Sequence, residues 1–228
     1  MPLQNLYKQT SDLPNVVPLF PLTAVLLLPQ GQLPLNIFEP RYLAMINNAM
    51  SSDRVIGMIQ PEDLKAAAAI DDTKANPPLK AIGCAGRITS FAETGDGRIF
   101  ITLTGICRFR VTTELDSLYP YRLAQVDFEP YGHDLDETYG ESDVDRDKLL
   151  KALKSFVEAQ QLPIDWESIK AASTQALVNG LSMACPYGLN EKQALLEAKT
   201  LKVRAQTLIA LTEMALKENT ATPKPTLQ

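Results

Sequence analysis

VVPLFPLTAVLLLPQGQLPLNIFEPRYLAMINNAM, residues Val16–Met50, is the most apolar stretch of the chain and carries five prolines. Pro18, Pro21, Pro29 and Pro34 forbid a continuous helix, because each lacks an N–H and collides with the preceding turn. The short runs between them, rich in Val, Leu and Phe, suit buried strands. Leu22–Leu28 is apolar on both alternating faces, so a strand covered on both sides is expected there. The period then changes. Pro40 suits the first position of a helix, and Tyr42, Leu43, Met45, Ile46, Ala49 and Met50 follow at helical spacing. A membrane span is excluded for this stretch, since one needs about 20 uninterrupted apolar residues.

The rest of the first half reads as β-structure. Arg54–Ile59 is expected to be a short buried strand. Residues 61–78 contain an Ala-rich run, but their polar flanks and Asn76-Pro77-Pro78 argue for a long surface loop. Gly95-Asp96-Gly97 signals a hairpin. Beyond it Ile99, Ile101, Leu103, Cys107, Phe109 and Val111 share one parity, while Arg98, Thr102, Thr104, Arg108 and Arg110 take the other. Gly105 interrupts the row and marks a bulge or sharp bend. Tyr121–Phe128 supplies a further strand.

LFPL and LLLPQGQLPLNIFEPRY, then DRVIGMIQP, IGCAGRITSFAETGDGRIFITLTGICRFRV and YPYRLAQV, resemble in that order the Lon protease N-terminal (substrate-binding) domain family. NEKQALLEA near the C-terminus extends the likeness weakly. The resemblance implies an α+β fold, a PUA-like pseudo-β-barrel followed by a C-terminal α-helical bundle. It also implies a binding role for polypeptide segments or a partner protein. A complete Lon protease adds an ATPase module and a Ser–Lys peptidase module. The phosphate-cradling G-x-x-x-x-G-K-[ST] loop is missing from the 228 residues, so the expectation is a stand-alone, non-enzymatic recognition module.

After residue 144 the pattern turns helical. Val144, Leu149, Leu150, Leu153, Phe156 and Val157 line a first helix, and Trp166 to Leu181 a second. Pro186-Tyr187-Gly188 breaks the chain. A third helix is expected to start at Asn190, with Gln193 completing its cap, and to run through Leu216. Three units follow: a β-rich domain 14–130, an acidic linker 129–143 and a helical subdomain 144–217. Residues 1–13 and the tail from Glu218 are expected to be loosely held.

Apolar content of 45% and charged content of 21% are ordinary for a globular domain. Residues 129–147 hold eight acids against Arg146, while the whole chain carries only −5. The acidic character therefore belongs to the linker, which is expected to be solvated and flexible. Cys84, Cys107 and Cys185 show no C-x-x-C spacing and read as buried thiols. With no signal-peptide pattern at the N-terminus, a cytoplasmic location is expected.

No catalytic residue, metal ligand or cofactor site emerges. His133 is the only histidine and falls in the linker, where nothing would preorganise it. The aspartates around it lack the glycine turn and terminal glutamate of a Ca²⁺ loop. Glu39, Pro40, Arg41 and Tyr42 form a structural motif at the helix start. Glu39 is favoured there by the helix dipole, and Arg41 reads as a buttress; two apart, the pair should diverge. Leu33, Pro34, Phe91 and Phe100 are surplus apolar residues and the candidate peptide-binding set. Two alternatives stand beside polypeptide binding. One is RNA binding along Arg108–Arg110, disfavoured by five bases against five acids in residues 83–128. The other is a small hydrolase in the barrel–bundle cleft. Homo-oligomerisation stays open.

Overall fold

The structure, a computed structural model, describes residues 6–70, 76–160 and 165–221. Its α+β fold sets a six-stranded sheet against seven α-helices among those residues. The strands are β1 (Val16–Pro21), β2 (Gln32–Ile37), β3 (Val55–Ile59), β4 (Ile82–Glu93), β5 (Ile99–Leu115) and β6 (Arg122–Asp127). Their order is β2-β5-β4-β3-β1-β6, and β5 also pairs with β6, so the sheet closes on itself. Only β1 and β3 run parallel; the other pairs are antiparallel.

Helix α1 (Pro40–Met50) begins where its proline predicts, with Glu39 as N-cap. Tyr42, Met45, Ile46 and Ala49 form its buried stripe. Leu22–Leu28, by contrast, is no strand. Leu26, Leu27 and Leu28 are buried, but the chain turns at Ala24 and Gln30, both with positive φ. Prolines at 21 and 29 deny the segment ladder donors. Its backbone is satisfied from elsewhere: Ala24 N–H donates to Gln60 Oε1 (3.1 Å), and Asn179 Nδ2 donates to the Pro29 carbonyl (3.1 Å). At its ends the loop keeps backbone partners, Leu22 N–H donating to the Ile59 carbonyl and the Leu28 carbonyl accepting from Gly31 N–H (3.0 Å each), so backbone and side chains together satisfy it.

The bulge foreseen at Gly105 reorganises the strand. Ala85 faces Cys107 and Gly86 faces Gly105, so Ile106 is extra. One added residue reverses the side taken by every residue after it. Ile99, Ile101 and Leu103 belong to the core shared with the helices, whereas Cys107 and Phe109 enter a second core built with Val17, Leu19, Ala124 and Val126. The single-parity row of the sequence therefore crosses between two cores. A Cβ on Gly105 would sit 2.0 Å from the Leu28 carbonyl oxygen, which brings the buried loop against the bulge.

The helical part comprises α2 (Leu64–Ala68), inserted between strands, and then α3 (Arg146–Gln160), α4 (Trp166–Ala171), α5 (Thr174–Ala184), α6 (Leu189–Glu197) and α7 (Leu201–Ala221). The expected loop 61–78 thus contains a helical turn, capped by Asp63 accepting from Ala66 N–H; residues 71–75 lie outside the description. The single helix expected over Trp166–Leu181 is split at Ser173, whose hydroxyl caps α5. The helix expected from Asn190 starts instead at Leu189, with Gly188 as N-cap, and breaks after Glu197. Gln193 bonds Gln60 and the Ile82 carbonyl rather than a cap. Leu195, Leu196, Leu201, Ala205, Leu208 and Ile209 complete the core that covers the sheet, with Trp166 packed at its margin.

Two further expectations change. Tyr7 and Leu13 are buried, and Arg87 donates to the Tyr7 hydroxyl (2.9 Å), which pins described residues of the leading segment. Of that segment residues 1–5 lie outside the description, as do residues 222–228 of the tail. The acidic segment is packed over its first half: Glu129–Leu135 forms 3₁₀ turns on β5, with Tyr131 and Asp134 buried. The cause is a buried cation waiting beneath it, Arg108.

Candidate functional site

Arg108 lies beyond the Ile106 bulge, opposite Cys84, on the side that faces the helices. It is 1% exposed. All five of its guanidinium hydrogens are used. Nε and Nη2 donate to the two Asp134 oxygens (2.8 Å each), Nη1 to the carbonyls of Leu196 (2.9 Å) and Ala198 (2.7 Å), and Nη2 again to His133 Nε2 (3.2 Å). Arg204 lies in the same region and donates to the Leu195 carbonyl and to Asn179 Oδ1, both at 2.9 Å. The two arginines satisfy the orphan carbonyls where α6 ends. Burial opposes the Arg108 charge, yet the Asp134 carboxylate holds its pKa above the ordinary arginine value. Arg204, buried and beside Arg108, is pushed down to about 9. This cluster is sealed structure, and Arg108 cannot join Arg110 in a basic stripe for RNA.

His133 is about a quarter exposed and packs on Tyr139, so it is not the solvated linker residue expected. Among the described residues no group of three or more His, Cys, Asp or Glu side chains could hold a metal ion. The three cysteines are free and buried. Burial raises the thiol pKa of Cys84 and Cys107, which leaves them poor nucleophiles.

The four candidate peptide-binding residues do not form one patch. Pro34 faces Thr102 and Asn36 faces Phe100, so Pro34 and Phe100 are same-face neighbours on the outer side of the sheet. Phe100 is 49% exposed. Leu33 and Phe91 instead pack against the core on the other side. Phe91 is turned inward because Thr89 is extra in β4, between the pairs Ile88–Leu103 and Ser90–Thr102.

A groove of about 330 Å³ lies where α1 begins, lined by Pro21, Arg41, Tyr42, Pro77, Tyr119, Tyr121 and Arg122 among others. Glu39 and Arg41, expected to diverge, pair at 2.7 Å, because Glu39 is an extended N-cap outside the helix. Arg41 also donates to the Ile70 carbonyl (2.9 Å) and lies over the Tyr42 ring, so the buttress contacts exist at the groove itself. Arg122 pairs with Glu114 and donates to the Pro77 carbonyl (2.7 Å). Both arginine charges are thus matched; of the tyrosines that line the groove, Tyr42 and Tyr121 are buried and Tyr119 is exposed. Tyr119 and Tyr121 stack with ring centroids 5.1 Å apart, and Asn48 Nδ2 on α1 donates to the Tyr121 hydroxyl (2.8 Å). Leu118 next to them is fully exposed and Tyr119 is 54% exposed. Tyr119 and Tyr121 stand in the sequence within the family likeness YPYRLAQV but not among the candidate peptide-binding residues. Their signal was Leu-Tyr-Pro-Tyr in a polar turn, apolar residues with nothing beside them in sequence to cover them.

Residues 16–213 match the family model described as the ATP-dependent protease La (LON) substrate-binding domain. The "Lon protease 2" of Myxococcus xanthus is 26% identical over 209 residues, covering 88% of this chain and 24% of that protein. The Lon protease of Dictyoglomus thermophilum is 26% identical over 205 residues, 87% of this chain and 24% of its own length. The chain spans about a quarter of the length of these curated relatives. Among solved structures, a Lon N-terminal domain protein from Xanthomonas campestris is similar at TM-score 0.60 and 20% identity, covering 86% of this chain and 97% of that one. The N-terminal domain of Mycobacterium avium complex Lon protease is similar at 0.61 and 17%, covering 87% and 98%. At these identities the two structures speak to the fold.

Proposed function

Because the chain belongs to the Lon substrate-binding domain family, we propose that it is a non-enzymatic module that holds exposed apolar or unfolded polypeptide segments in the Tyr119–Tyr121 groove. The observation that carries the reading is the stacked tyrosine pair beside a fully exposed Leu118, on the rim of a cavity whose two arginines are already neutralised. Exposed aromatic and aliphatic side chains anchored on a folded frame are what a polypeptide-binding surface needs. A groove with matched charges favours uncharged side chains over phosphate, so the reading prefers polypeptide to RNA. It requires no cofactor and no catalytic group.

Titration of a fluorescently labelled, alkylated and unfolded polypeptide tests it. Saturable binding that weakens at least tenfold in Tyr119→Ala, a loss of about 1.4 kcal/mol, supports the site. Binding unaffected by Tyr119→Ala and Leu118→Ser removes the groove from the account. No binding by the folded protein removes the polypeptide reading.

A further inference from the structure

We propose that the joint between the sheet and the helical part is acid-sensitive, with His133 as the group that titrates. The Glu129–Leu135 turns, β5 and the end of α6 meet at one guanidinium, that of Arg108. Arg108 has five donors and no acceptor, so the 3.2 Å contact to His133 Nε2 requires that nitrogen to be unprotonated. Protonation there removes one of five acceptors and sets a second cation against Arg108. Leaving a buried donor unsatisfied is costly.

The groups facing the imidazole are few. Arg108 and Arg204 disfavour its charge, Asp134 at 3.7 Å favours it, and the Tyr139 ring covers it without charge. Burial comes first among the causes, and with the two arginines it outweighs Asp134, so the pKa lies below the ordinary 6.5. The sign follows. With the folded value depressed, the contact contributes fully above 6.5, and its contribution is lost as pH falls through the folded value. The strap then loosens from Arg108, and the α6–α7 junction loses an anchor.

Because the chain has one histidine, its imidazole resonance gives the titration directly in the full-length protein. The expected midpoint is below 6.5. Amide exchange, corrected for its intrinsic pH dependence, should show residues 129–135 and 196–200 losing protection as pH falls through the imidazole midpoint that the resonance reports. Strands β3 and β4 should keep theirs. His133→Gln, which retains an acceptor but cannot take up the proton, should abolish the pH-dependent loss. A midpoint at or above 6.5, unchanged protection in the wild type, or the same loss in the Gln variant would overturn the proposal.

Discussion

Arg108 and Asp134, 26 residues apart in sequence, meet as a buried ion pair that joins three elements of the fold. Asp134 also accepts from the Arg108 backbone N–H at 3.0 Å. Removing either partner leaves an uncompensated buried charge. Arg108→Ala or Asp134→Ala should therefore cost about 3–5 kcal/mol in denaturant unfolding. The double replacement Arg108→Met with Asp134→Leu should recover part of that loss. Single variants of unchanged stability would refute the role assigned to the pair.

Gly105 fixes the bulge by what it lacks. With the Leu28 carbonyl 2.0 Å from where a Cβ would sit, backbone must move to admit even a methyl group. Gly105→Ala should destabilise by at least the roughly 1–3 kcal/mol typical of overpacking. A thermal melt matching the wild type would show that the bulge and loop are not in such contact.

Much of the fold was legible because local rules and tertiary packing agreed. Pro40 started a helix, Gly95-Asp96-Gly97 turned a hairpin, and Gly105 marked a bulge. The misreadings share a cause. Leu22–Leu28 had the composition of a strand, but the side chains of Gln60 and Asn179, which hold it and the following Pro29, lie far off in sequence. Segment 129–143 looked soluble by charge count, and nothing near it announced that Asp134 would find Arg108. The carbonyls freed between α6 and α7 likewise find distant partners, Arg108 and Arg204. Local pattern shows which residues seek burial, not which distant side chain satisfies a backbone group.

The domain division remains open to a direct assay. The largest core draws on β4, β5, α1 and the helices from α3 to α7, so the β-rich and helical halves should not separate when the connection is cut. Limited proteolysis should cleave first within 136–145 or 61–78, and the nicked halves should co-elute until denatured. Early cleavage within Leu22–Ile46, or separation of the nicked halves under native conditions, would contradict this packing.

Asn48 tests how the tyrosine pair is held. It is exposed, and its hydrogen bond to Tyr121 contributes about 0.5–1.5 kcal/mol at most. Asn48→Ala should leave the fold intact while weakening polypeptide binding through a less ordered Tyr121. A variant that binds as the wild type does would confine Asn48 to a purely structural role.

Of the candidate site, the sequence exposed the apolar surplus and not its placement. Phe91 and Phe100 look alike as neighbours of the hairpin, yet the extra Thr89 in β4 sends Phe91 to the core, while Phe100 alternates with the core residues Ile99 and Ile101 and stays outside. Tyr119 and Tyr121 become neighbours of Arg41 only once the sheet has closed.

Photo-crosslinking tests the central claim most directly. A photoreactive residue placed at position 118, and separately at position 100, should be irradiated with the same unfolded polypeptide. The account predicts strong adducts from 118, suppressed by Tyr119→Ala, and weak adducts from 100. Adducts from 100 that exceed those from 118 and survive Tyr119→Ala would move binding to the outer sheet face around Pro34 and contradict the groove.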